Sequence, residues 1–345
     1  MQVIILAPMD VTLVPLLGPF HLRLPTFNAV TVRDIVNNSR PDAVAVTSLA
    51  PNSFATPAWQ DTPEIALPLA VVPWCRRRDV STHPVYEAAE DADAERDFER
   101  YLAQFAQTES VLSEVAGARR KVAELLEQPL SPRRITGELV GEVDAYQRLR
   151  EAHFGDGPGT GWLRCRCMAM ARRIHSLPHR RVTVLASLDH VPMLAEELSK
   201  DAKVTWPSQV EVSEASRRRA LLDYAFNGEA QDPAKLVEQL REIDEPEARF
   251  HEANVLLAAG HVQSAREVMQ ALVNGPFHEP YFLPGFALAR LGQLYDLSGD
   301  RELARRAYRG VLALEWAPRE SIEAAEKGLE HPLEAPAEQP GAEGR

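Results

Sequence analysis

The sequence predicts an α/β N-terminal domain with a mostly parallel sheet and long helices, followed by an all-α C-terminal domain of repeated helices. Short, unbroken apolar runs in the first half predict the sheet, because strands covered on both faces do not alternate with polar residues. Helical periodicity alone, with two self-similar segments, predicts the second domain after residue 213. A chain of 345 residues is long enough for both hydrophobic cores.

Four apolar runs are predicted to be strands: residues 3–7, 43–46, 67–72 and 182–186. Pro68 inside the third run indicates an edge strand or a late start, since proline cannot donate a ladder hydrogen bond. Between the runs, apolar residues recur at helical spacing, which predicts helices at 93–128, 134–152 and 162–175. The first of these is long enough for one long helix or a kinked pair.

Composition changes along the chain predict where the domains end. A shift near residue 210 separates an α/β domain at 1–209 from a helical domain at 210–331. Residues 332–345, rich in Pro, Ala, Glu and Gly, are expected to form a disordered tail. The glycine-rich segment 155–161 is expected to connect two helices, because no strand precedes it and no Gly-Lys-Ser/Thr follows it, as a phosphate-binding loop requires.

Composition and charge also narrow the class of protein. The chain is 45% hydrophobic and 26% charged, which is ordinary for a globular protein, and its net charge of −12 makes a nucleic-acid partner or an acidic membrane surface an unfavourable match. The N-terminus lacks the basic region of a signal peptide. Three cysteines are too few for a disulfide framework. We therefore expect a cytoplasmic protein with no membrane association.

Two segments of the second half are similar to each other when they are aligned on Gly260 and Gly299. The second segment resembles a tetratricopeptide repeat through residues at matching offsets: Leu291, Gly292, Tyr295, Gly299, Ala304 and Tyr308. The small residues are expected to let two helices approach closely, with the tyrosines filling the seam. The two glycines lie further apart than the roughly 34 residues of the standard repeat, and the excess falls at 274–280.

The repeat resemblance covers about 245–318 and implies a concave surface for a protein or peptide partner. An earlier helix pair, 218–226 and 234–243, is a candidate third copy. The alternative is that so few repeats brace the N-terminal domain or support self-association.

Three blocks of the first half carry a second resemblance: VIILAPMDVT at 3–12, a helix and strand at 32–46, and CRCMAMA at 165–171 leading to VTVLASLDHVPML at 182–194. They are similar to motifs of the superfamily that includes TraB/TIKI proteins, ChaN-like haem-binding lipoproteins and erythromycin-esterase-like enzymes. The resemblance covers about residues 1–205. It implies an α/β domain whose histidines and carboxylates gather at the carboxyl edge of the sheet.

This chain departs from the family pattern at most of the positions that carry chemistry. Asp10 stands where the family has its first histidine, Thr47 where it has glutamate, and Ser187 where it has the second glycine. Arg166 and His190 match the family. Metal-assisted hydrolysis needs several ligands and a general base. The resemblance with these changes therefore predicts an eroded hydrolase-like domain in a binding or scaffolding protein.

The alternative is a hydrolase with a rebuilt site, in which Asp10, Arg166 and His190 share one cleft. Its catalytic candidates are His190 and Asp10, and its ligand-binding candidates are Arg166, Ser187 and Thr47. No cofactor motif is found, and a divalent metal belongs only to this alternative. Asp189 is interpreted as a cap for the helix that follows it.

Two further clusters near residues 164–181 receive structural interpretations. Cys165 and Cys167 with His175 and His179 match no standard zinc spacing, since residues two apart on a helix point in divergent directions. We expect the thiols to pack like small apolar residues. The arginines of this segment are expected to pair with the chain's own carboxylates.

Overall fold

The computed structural model of the protein describes residues 8–86, 97–98, 100–105, 108–155, 161–207, 210–228 and 231–334. The predicted strand at 3–7, most of the glycine-rich connection and most of the predicted tail lie outside the described residues. The chain forms two compact units, residues 1–220 and 221–345.

The first unit carries the predicted parallel sheet. Among the described residues its five strands are β1 (Met9–Leu16), β2 (Ala43–Val46), β3 (Ser81–Pro84), β4 (Arg181–Ser187) and β5 (Ala202–Thr205). They are ordered β3-β2-β4-β1-β5, and every pair is parallel. The predicted α/β fold class is thus confirmed for this unit.

Helices cover both faces of the sheet. They are α1 (Ala29–Ser39), α2 (Val72–Arg78), α3 (Glu109–Leu126), α4 (Val140–Phe154), α5 (Gly161–His175) and α6 (Val191–Leu198). One core packs α1 and α2 against Val14, Val44 and Leu185. The other packs α5 and α6 against Val11 and Val184, on the opposite face of the same strands. Burial on both faces explains the unbroken apolar runs.

The predicted strand at 67–72 is wrong. A π-helical turn, Leu67–Val71, continues directly into α2, and strand β3 follows later. Pro68 lies in the first turn of this helical segment, where the missing N–H costs nothing, and Pro73 lies where the π-helical turn passes into α2. A short apolar run that is buried on every side is compatible with a strand and with a helix, so its sequence pattern alone does not decide between them.

The second unit is helical. Its helices are α7 (Glu214–Asn227), in which the division between the units falls, then α8 (Pro233–Arg241), α9 (Pro246–Ala258), α10 (Val262–Val273), α11 (Leu283–Leu297), α12 (Arg301–Leu312) and α13 (Arg319–Glu330). From α8 onward, each helix packs against the next one along the chain. In the described part of the chain, no helix is both long and apolar enough to span a membrane.

Tyr308 forms the centre of the seam between α11, α12 and α13. Its side chain is fully buried, and a Cβ atom on either Gly292 or Gly328 would overlap its ring. The Tyr308 hydroxyl donates a hydrogen bond to Asp296 Oδ2 (2.9 Å), and Asp296 also pairs with Arg301 (2.9 Å). The predicted packing of Tyr308 against Gly292 is confirmed.

Candidate functional site

The carboxyl ends of β2 and β4 meet at one edge of the sheet, as parallel strands require. Thr47 follows β2, and Ser187 ends β4. The Ser187 N–H donates to Thr47 Oγ1 (3.2 Å), and the same oxygen lies 3.4 Å from His190 Nδ1. Thr47, Ser187, His190 and the nearby Arg166 are called the strand-end cluster below. The structure therefore brings four of the five predicted site residues together.

His190 is held at the start of α6, with 7% of its surface exposed. Burial lowers the pKa of His190 to about 4, and the positive charge of Arg166 acts in the same direction. The imidazole is therefore neutral at pH 7. Because Thr47 Oγ1 already accepts the Ser187 N–H, its own hydrogen is available to the His190 Nδ1 lone pair.

Arg166 lies between two aromatic rings. Its guanidinium carbon is 4.4 Å from the centre of the Trp162 ring and 5.0 Å from that of Tyr86. The residue is 7% exposed, and its Nε and Nη2 find no hydrogen-bond partner among the described residues. The two rings thus hold a buried cation in place of a carboxylate partner. The ligand-binding roles of Arg166, Ser187 and Thr47 stay predictions.

Glu64 also reaches this edge of the sheet, and the sequence analysis missed it. Its Oε2 accepts the N–H of Gly18 (2.8 Å), and Ser187 lies close enough to the Glu64 carboxyl to lower the pKa of that group. Burial raises the pKa of Glu64, while Ser187 and the N–H of Gly18 oppose that rise. Glu64 lies in a loop without periodicity, so no sequence signal marks it. Glu64 thus lies between the segment that follows β1 and the end of β4.

Asp10 lies at the other end of the strands, near the amino end of β1, and not at the carboxyl ends where the strand-end cluster lies. It is the second residue of β1 and pairs in register with Arg181, whereas Leu16 at the end of β1 pairs with Ser187. Six residues of strand separate the two levels by about 20 Å. The predicted shared cleft for Asp10, Arg166 and His190 is therefore wrong. The cause is the position of the strand: the predicted strand at 3–7 would have placed Asp10 after it, whereas β1 runs through residue 10.

Asp189 does not cap the helix that follows. Helix α6 begins after His190, and no side-chain hydrogen bond caps it, so the cap interpretation is wrong. The Asp189 carbonyl accepts a hydrogen bond from Gln147 Nε2 (2.6 Å). Its side chain lines a cleft of about 350 Å³ together with Arg119 and Trp162. Desolvation by the surrounding protein raises the pKa of the Asp189 carboxyl, and the positive charge of Arg119 opposes that rise.

The two cysteines of α5 differ from each other. Cys167 is fully buried, as expected, and burial raises the pKa of its thiol to about 12. Cys165 is exposed, so the expectation of a packed thiol is wrong there.

No group of three or more His, Cys, Asp or Glu side chains within the described ranges is placed to hold a metal ion.

Arg164 and Arg181 of segment 164–181 form ion pairs within the chain, as expected for the arginines of this segment. Arg164 pairs with Glu151 (2.8 Å), and Arg181 pairs with Asp42 (2.6 Å). These pairs link α5 to α4 and the start of β4 to the start of β2. Part of the positive charge that the sequence concentrates here is thereby neutralised.

No protein-family model matches the chain, and neither the curated proteins nor the solved structures compared with it include a significant match.

Proposed function

We propose that this protein acts by binding, with a groove of its C-terminal unit as the site for a peptide segment of a partner protein. In this proposal the N-terminal unit is an eroded hydrolase-like domain whose strand-end cluster serves the fold. The groove carries the proposal, and the hydrogen bonds within the strand-end cluster support its second part.

The groove is a cavity of about 410 Å³ between α7, α8, α9 and α11. That volume lies in the range of ligand sites in proteins. Its walls include aromatic side chains: Phe226, Phe250, His251 and Phe286. Aromatic walls of this kind bury a large apolar area when they contact an apolar side chain, and this burial contributes favourable free energy of binding.

Two polar groups in the groove have unused hydrogen-bonding capacity. Asn254 Oδ1 and Arg290 Nε are buried and have no partner among the described residues. Burial lowers the pKa of Arg290, which signals a cation that is poorly solvated. Unpaired buried polar atoms cost free energy, which a bound group recovers by supplying the missing partner.

These features favour an extended peptide with an apolar side chain and a carboxylate. The carboxylate would meet Arg290, and a peptide N–H would meet the Asn254 oxygen, while the apolar side chain packs between the rings. A peptide partner also agrees with the resemblance of this unit to tetratricopeptide repeats, which present such grooves.

At the strand-end cluster, the polar groups satisfy one another. Thr47 uses its oxygen for the Ser187 N–H and lies against His190. A general base works best with a pKa near the operating pH. With a pKa of about 4, His190 is a weak base at neutral pH. This arrangement supports a structural role for the residues that the family uses in hydrolysis.

The binding part is tested by selecting short peptides with free carboxyl termini against the full chain and measuring their affinity by fluorescence anisotropy. Arg290→Gln is expected to weaken selected peptides about tenfold or more. Arg319→Gln, at an arginine whose side chain is 87% exposed, is the matched control and should have no effect. Failure to select any peptide, or equal binding by Arg290→Gln, would reject the groove.

The second part is tested by hydrolysis assays with peptide and ester substrates. The proposal expects no turnover by the purified chain. Turnover that disappears in His190→Ala but persists in His278→Ala, at an exposed histidine, would establish a hydrolase in its place.

A further inference from the structure

A pair of histidines lies away from both the strand-end cluster and the groove. His83 is on the edge strand β3, in register with Ala45 of β2, and His179 lies in the turn between α5 and β4. Their Nε2 atoms are 3.3 Å apart, and their ring centres are 5.3 Å apart with the planes tilted by 49°. Both side chains are partly exposed.

The separation of the two nitrogens fits a shared metal ion. Imidazole nitrogens bind zinc at about 2.0–2.1 Å, and a tetrahedral angle between two such bonds separates the nitrogens by about 3.3–3.4 Å. The same separation also permits a direct hydrogen bond between the two rings when no metal is bound.

The protonation state of His83 also suits a metal ligand. Burial lowers the pKa of His83, and the neighbouring His179 lowers it further. Imidazole must be neutral to bind a metal. Arg180, the nearest cation along the chain from His179, is exposed, so water screens its charge.

We propose that His83 and His179 form a two-histidine site for a divalent transition metal of the class that imidazole favours, namely Zn²⁺ and the similar ions Co²⁺, Ni²⁺ and Cu²⁺. The remaining coordination positions are open to water or to a small ligand. Strand β2 separates β3 from β4 in the sheet, so the metal fastens the edge strand to the turn that leads into β4. This inference does not depend on the proposed function.

The test uses the full chain without a histidine tag, freed of metal by a chelator and titrated with ZnCl₂ in a calorimeter. We expect one site per chain and a rise in the melting temperature on Zn²⁺ addition. CoCl₂ is expected to give the visible absorption bands of a cobalt ion with nitrogen ligands. His83→Ala and His179→Gln should each weaken Zn²⁺ binding about tenfold or more. His278→Ala, at an exposed histidine of the other unit, is the control.

His179→Gln changes a residue of a turn, so it keeps the test valid if His83→Ala fails to fold. Circular dichroism shows whether each variant keeps the native secondary structure. Absence of Zn²⁺ binding by the wild type would mean that the two rings share only a hydrogen bond, and the proposal would fall. Equal binding by folded His179→Gln would place the ion elsewhere and would overturn it as well.

Discussion

The hydroxyl of Thr47 lies 3.4 Å from Nδ1 of His190 and joins the end of β2 to the start of α6. Both residues are buried. Here a neutral hydroxyl faces a neutral imidazole, so the pair contributes a hydrogen bond and packing in place of a charge.

Replacement of Thr47 by valine tests this contact. Thr47→Val keeps the shape of the side chain but leaves the Ser187 N–H and His190 Nδ1 without their partner, so the free energy of unfolding should fall by about 1–3 kcal/mol. Urea unfolding measures the change. Thr56→Val, at an exposed threonine, should stay within about 0.5 kcal/mol of the wild type. An equally small effect at Thr47 would show that the contact contributes little.

Stability should fall as the pH drops from 6.5 towards 4. The pKa of His190 and that of His21 are both lowered to about 4 by burial, so the unfolded chain binds protons that the folded chain does not. The free energy of unfolding is therefore highest above pH 6.5. It falls at lower pH, because protons bind to these two histidines in the unfolded chain before they bind in the folded one. Each histidine accounts for up to about 3 kcal/mol.

Urea unfolding at a series of pH values checks this dependence. His190→Gln should make the slope between pH 6.5 and 4 shallower, because one of the two buried histidines no longer contributes to it. His278→Gln, at an exposed histidine, should leave the slope unchanged. A slope unaffected by His190→Gln would mean that His190 is protonated as easily in the folded protein as in the unfolded chain.

The seam around Tyr308 predicts opposite effects for two glycine substitutions. Gly292→Ala puts a methyl group into the Tyr308 ring and should destabilise the protein by about 1–3 kcal/mol. Gly310→Ala, on the same helix as Tyr308, meets only Leu288 at an ordinary 3.4 Å and should be neutral or stabilising by up to about 1 kcal/mol. Thermal unfolding ranks the two variants. A tolerated Gly292→Ala would contradict the packing.

The three cysteines should react at very different rates. Cys165 is exposed, whereas Cys75 and Cys167 are buried and have thiols whose pKa is raised by burial. A chromogenic disulfide reagent should therefore modify one thiol per chain quickly under native conditions, and all three in urea. Cys165→Ser should remove the fast phase. A fast phase that survives in this variant would show that a buried thiol is accessible.

Local patterns explain which parts of this fold the sequence predicted. Strands β2 and β4 were found because each is a short apolar run buried on both faces. The helices of the second unit were found because contacts between neighbouring helices leave a periodic pattern, and the spacing of Gly292 and Tyr308 already indicated a close approach. The run at 67–72 was misassigned because a buried helix and a buried strand look alike over six residues.

The sequence by itself determined a parallel α/β unit followed by helices, because burial leaves apolar runs in strands and periodic patterns in helices. The resemblance to superfamily motifs selected Thr47, Arg166, Ser187 and His190 as candidates. Only the tertiary structure decided that Asp10 lies at the other end of the strands, that Glu64 reaches Ser187, and that His83 meets His179. Those relationships depend on strand register and on contacts between residues far apart in the chain. A shift in where one strand begins moves a side chain from one end of the sheet to the other, and no local pattern records it.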